Sequence, residues 1–162
     1  MNVTKIKFKG NETEIDYQIE QGITTLETKM KCSKPRDPDF TRCAENLINP
    51  LVKYLDLPDS WGTCGDIIFR SVSFSENETQ GFGCVVTLLK ELDDFNAPLV
   101  INTPHFCEGS EHQSKSVMPS NILTLLTTLQ QHAIAFINGK RSQTEIDFKV
   151  DGETGEIQED LL

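Results

Sequence analysis

The chain has 162 residues, enough for one domain with a core of its own and too few for two of ordinary size. Apolar residues make up 37% and the formal net charge is -10, which argues against holding nucleic acid by neutralising its phosphates. No apolar run approaches the roughly 20 residues of a membrane-spanning helix. The opening Met1-Asn2-Val3-Thr4-Lys5-Ile6 lacks the apolar core of a signal peptide, so a cytoplasmic location is expected.

The first third reads as β structure. Lys5-Ile6-Lys7-Phe8-Lys9 alternates, Gly10-Asn11 signals a turn, and Glu14-Ile15-Asp16-Tyr17-Gln18-Ile19 alternates again. After Gln21-Gly22, residues 23–30 offer a weaker third strand. Asp37-Pro38 then supplies an N-cap followed by proline at the first helical position. Phe40, Cys43, Ala44, Leu47, Ile48, Leu51, Val52 and Leu55 follow with the spacing of a core-facing stripe. Pro50 should kink this helix or restart it from Asn49.

A second β block is expected at residues 67–74, 81–89 and 98–102, its middle strand apolar on both faces. Residues 108–117 read as a polar loop. A helix from Pro119 buries Ile122, Leu125, Leu126, Leu129, Ala133, Phe136 and Ile137 and is capped at Asn138-Gly139. Residues 144–150 add a last strand. The expectation is an α+β fold in the order βββ-α-βββ-α, an antiparallel sheet with two amphipathic helices on one face. Residues 1–150 would form one domain and 151–162 an acidic C-terminal tail.

The five cysteines are Cys32, Cys43, Cys64, Cys84 and Cys107. They are odd in number, widely spaced and without a C-x-x-C pair, unlike a disulfide framework or a zinc ribbon. Cys43 and Cys84 fall on apolar faces and read as small core hydrophobes.

Functional candidates gather around Ala97-Pro98-Leu99-Val100-Ile101-Asn102-Thr103-Pro104-His105, a short apolar run that delivers a polar cluster to its end. Asn102, Thr103 and His105 could hydrogen-bond a polar ligand. Arg70 stands mid-strand between Phe69 and Ser71, on the side taken to be shared by Ile68 and Val72, where a cation can hold an anion. Lys140 and Arg141 follow the second helix and are the best local basic pair for phosphate. His105, Cys107 and His112 are of zinc-ligand type, but their spacing matches no closed structural site. With no nucleophile elbow, phosphate loop or H-E-x-x-H motif present, no catalytic residue, metal or cofactor is assigned.

The run from Val72-Ser73-Phe74 through Gly83-Cys84-Val85-Val86-Thr87 to Asn96-Ala97-Pro98-Leu99-Val100-Ile101-Asn102-Thr103-Pro104-His105, with Gly139-Lys140-Arg141-Ser142-Gln143 after the helix, resembles a family of small early or accessory proteins of tailed bacteriophages and prophages. The resemblance covers about residues 66–143. It implies a phage origin and the cytoplasm of a bacterial host, and no particular chemistry. The expected role is a non-enzymatic binding protein that sequesters a small anionic host signal such as a cyclic nucleotide. Its ligand-binding residues would be Arg70, Asn102, Thr103, His105, Lys140 and Arg141. An acidic protein-interaction inhibitor of a host enzyme stands second, a metal-dependent enzyme third. The expected partners are the small anionic ligand or a host protein, with neither nucleic acid nor membrane, in a chain able to form homo-oligomers.

Overall fold

Alternation in the first third produces three strands, β1 (Asn2–Lys9), β2 (Glu12–Gln21) and β3 (Thr24–Cys32), joined by turns at Gly10 and Gly22 with φ of 57° and 62°. These values suit glycine, which has no Cβ to clash. The structure, a computed structural model, describes residues 1–141 and the backbone of residues 146–150 and 157–161. The second β block gives β4 (Ile67–Asn77), β5 (Gly81–Lys90), β6 (Leu99–Asn102) and the short β7 (Phe106–Cys107). All seven join one antiparallel sheet in the order β3-β2-β1-β4-β5-β6, with β7 also on β5. The expected α+β class is observed.

The period of two assigns the faces. Ile6, Phe8, Ile15, Phe69, Val72, Val86 and Leu88 are buried beneath the helices. On the other face one transverse row runs Lys31, Glu14, Lys7, Ser71, Thr87, Asn102, each opposite the next on the adjoining strand. This row is polar, as antiparallel sheets allow on a face turned away from the helices.

The first helical stretch is broken, and sooner than Pro50 suggested. Helix α1 (Pro38–Glu45) is capped by Asp37, whose Oδ1 accepts from the Asp39 amide at 3.2 Å. Helix α2 (Ile48–Tyr54) starts after Leu47, which places Pro50 in its first turn, where a missing N–H costs nothing. A third short helix, α3 (Asp59–Thr63), follows Pro58.

Helix α4 (Ser120–Ile137) buries Ile122, Leu126, Leu129, Ala133 and Phe136, and leaves Leu125 and Ile137 half-buried. It closes in a Schellman turn: Gly139 N–H donates to Phe136 O at 3.1 Å and Lys140 N–H to Ala135 O at 2.9 Å. Phe40 of α1 links the layers. Its ring lies 5.1 Å from Phe8 and 5.8 Å from Phe136. Strands β8 (Ile146–Val150) and β9 (Ile157–Leu161) pair antiparallel as a sheet of two, and residues 144–145 of the expected last strand, with 151–156 and 162 of the expected tail, lie outside the described residues. Among the described residues no helix is long and apolar enough to cross a membrane.

Candidate functional site

Strands β1 and β4 pair only where Lys5, Ile6 and Lys7 face Ser73, Val72 and Ser71. Past Lys7 they part. At the same level β4 carries a bulge: Phe69 faces Leu88 and Ser71 faces Thr87, which leaves Arg70 without a partner on β5. The extra residue reverses the alternation. Ile68 is therefore exposed and Val72 buried, so Arg70 does not share one side with both, contrary to the sequence reading. Instead Arg70 reaches into the gap, and its Nη1 donates to Phe8 O at 2.9 Å.

Helices α1, α2 and α3 roof this gap and make a cleft of ≈ 410 Å³. That is within the range of small-molecule sites, about 300–1,000 Å³. Its apolar wall includes Phe8, Ile48, Trp61 and Phe69, and its polar groups include Arg36, Glu45, Asn49 and Arg70. The two arginines differ. Arg36 is committed to the fold: Nη1 donates to Thr13 Oγ1 (3.0 Å) and Glu12 O (3.3 Å), Nη2 to Gly10 O (2.8 Å) and Nε to Thr41 Oγ1 (3.3 Å). Its guanidinium also lies 3.9 Å from the centre of the Phe8 ring. Burial lowers its pKa, opposed by the charge of Glu45. Arg70 makes one side-chain hydrogen bond among the described residues, so further N–H donors of its five remain for a ligand.

The other five expected ligand residues do not line this cleft. Thr103 is buried at the far edge of the sheet, where its Oγ1 accepts from Val86 N–H (2.9 Å) and its own N–H donates to Val86 O (2.9 Å). It continues the β5 ladder beyond β6. Asn102 is exposed, and its Oδ1 accepts from Thr87 Oγ1 at 2.7 Å. His105 folds over Gly83 and its Nε2 lies 2.8 Å from Ser75 Oγ.

Lys140 and Arg141 stand apart from both places. Lys140 Nζ is 2.8 Å from Asp37 Oδ2 and ties the end of α4 to the start of α1. Arg141 bonds back to the Phe136 carbonyl and lies 3.6 Å from the centre of its ring. Of the metal-type residues, Cys107 is buried against Gln113, whose Nε2 is 3.3 Å from its Sγ, while His105 and His112 are exposed. Among the described residues no three His, Cys, Asp or Glu side chains are grouped to hold a metal ion.

Sequence reasoning missed Arg36, Asn49 and Trp61. Only Trp61 carried a signal, as the one tryptophan of the chain. Compared with protein-family models, curated proteins and solved structures, the chain matches none.

Proposed function

We propose that this chain is a non-enzymatic binding protein whose cleft beneath α1, α2 and α3 takes a small ligand with one anionic group and one flat apolar part. The reading is carried by Arg70. It is a half-buried cation at a strand bulge, with spare donors, beside Trp61, Phe8 and Phe69. A guanidinium in such a place favours anions that offer two acceptor oxygens, such as phosphate or carboxylate, and the aromatic wall favours a ring. A cyclic nucleotide combines both. Sequestration of such a signal in a phage-infected bacterium rests on the family resemblance alone.

A second reading is an acidic interaction surface. It is supported by exposed Glu91, Asp93 and Asp94 beside exposed Phe95. A partner held there would dissociate with added salt.

Trp61 makes the first reading testable. It is the chain's single tryptophan and it lines the cleft. Titration with cyclic mono- and dinucleotides should change its fluorescence, raise Tm and return the ligand chemically unchanged. Both signals should be lost in Arg70→Gln. No response from any nucleotide, or a response that survives Arg70→Gln in full, would refute the site.

A further inference from the structure

We infer that the open edge of the sheet at β6 is where a second copy of this chain pairs, strand against strand, with Val100 on the two-fold axis. The far half of this edge is already closed. Cys107 N–H donates to Ser116 O at 3.0 Å and Met118 N–H to Cys107 O at 2.6 Å, so residues 116–118 cover β7. Among the described residues nothing pairs with the outer side of the β6 half. Thr103 N–H points to Val86 O, so by alternation the N–H and C=O of Leu99 and Ile101 face β5. Those of Val100 and Asn102, with the carbonyl of Pro98, therefore face outward.

Several side chains on this edge are exposed and apolar. Ile68, Leu89 and Val100 stand in one row across β4, β5 and β6, with Leu89 buried between the other two. Ile68 is 46% exposed, Val100 55%, Leu99 42% and the nearby Phe95 70%. Residues 99–102 contain no charge, on a chain of net charge -10. The opposite edge is guarded, since β3 alternates Glu27, Lys29 and Lys31 along its length. An uncharged edge is where two copies of so acidic a chain can meet.

Self-complementarity fixes the register. With Val100 opposite Val100, each copy exchanges both backbone hydrogen bonds of that residue with the other, and each Asn102 N–H donates to the other copy's Pro98 carbonyl. Pro98 has no N–H to offer, and this register asks none of it. The apolar row then runs unbroken from Ile68 of one copy to Ile68 of the other. Leu99 of each copy faces Ile101 of the other beneath it. The acidic residues Glu91, Asp93 and Asp94 precede Leu99, so the antiparallel arrangement sets them at the His105 end of the other copy rather than against each other. Pairing of this kind is isologous and closes at two chains.

Sedimentation of the full chain over a concentration series should show a mass near twice 18.2 kDa. Val100→Lys places two ammonium groups on the axis and should weaken association at least about tenfold with an unchanged circular dichroism spectrum. Ile23→Lys, at a still more exposed apolar turn position, should leave the dimer intact. In a Cys64→Ser background, Val100→Cys should cross-link two chains on mild oxidation and Asn102→Cys should do so far more slowly. A single-chain mass at every concentration would overturn the inference, including one that binds an added extended peptide at β6. So would a dimer that survives Val100→Lys, or one that Ile23→Lys disrupts as strongly.

Discussion

Arg70 stands at the level where β1 stops pairing with β4, and its Nη1 donates to the Phe8 carbonyl at 2.9 Å across the opening. The bulge that frees Arg70 from β5 is what lets its side chain enter this gap. The same residue thus holds the cleft's floor together and supplies its cation.

Arg70→Gln should separate these two roles by magnitude. Loss of the donor leaves a partly buried carbonyl unpaired, at a cost of about 1–3 kcal/mol. Denaturant unfolding would show it as a lower midpoint at constant slope. Affinity for an anionic ligand should fall further, by tenfold or more, because the charge is gone. Arg70→Lys keeps the charge but not the fork and should fall between. A variant with lowered stability and undiminished ligand binding would confine Arg70 to the fold.

The Asp37–Lys140 pair should give stability a dependence on pH at both ends. Its hydrogen bond to Lys140 is the main cause that holds the Asp37 carboxyl below its ordinary range. A depressed carboxyl contributes stability that is present above its unfolded pKa, about 4, and lost as pH falls through the lower folded value. The Lys140 ammonium is raised by the same bond. Its contribution is complete below the unfolded pKa of about 10.4 and is lost as pH rises through the higher folded value. Lys140→Ala should flatten both limbs, as read by Tm against pH. Asp37→Asn should flatten them too while keeping most of the α1 cap. Equal pH profiles for wild type and Lys140→Ala would mean that the pair contributes nothing to folding.

The sheet was legible because β1 and β2 alternate where one face is buried, as Ile6, Phe8 and Ile15 show, and because β5 is a nearly continuous apolar run. Helix α4 was legible from its stripe and its Gly139 cap. The cleft was not. It arises where two strands separated by more than fifty residues in sequence cease to pair, and no local pattern marks the end of a pairing. The bulge at Arg70 was hidden for a related reason. Alternation alone puts Ile68 and Val72 on one side, and only the register with Leu88 and Thr87 shows the inserted residue. Thr103 and Asn102 looked like ligand groups because strand ends often carry them. Here one completes the backbone ladder through Val86 and the other bonds Thr87.

Gly83 and His105 should be coupled. A Cβ built on Gly83 would lie 2.7 Å from His105 Nε2, closer than real contacts allow, and 3.0 Å from Phe106 O, at the tight limit. Gly83→Ala should therefore displace the imidazole from Ser75 and destabilise by about 1–3 kcal/mol, the usual cost of overpacking. Gly83→Ala combined with His105→Ala should cost less than the sum of the two, because the clash is then partly relieved. Full additivity in a double-mutant cycle would mean that the histidine does not rest on Gly83 in solution.

The cysteines report the core directly. Burial pushes the Cys84 thiol up to about 12 and raises Cys43 as well. The reactive species is the thiolate, so both are protected twice, by exclusion of reagent and by protonation. Cys107 is buried under Gln113, Cys32 is half-buried and Cys64 is exposed. With an aromatic disulfide reagent at pH 8, Cys64 should react first and Cys32 more slowly. Cys43, Cys84 and Cys107 should react only at the rate of unfolding. Denaturant should accelerate those three together and leave Cys64 nearly unchanged. Reaction of Cys84 at the rate of Cys64 in the native protein would contradict the packing of β5 against the helices, on which both the cleft and the β6 edge depend.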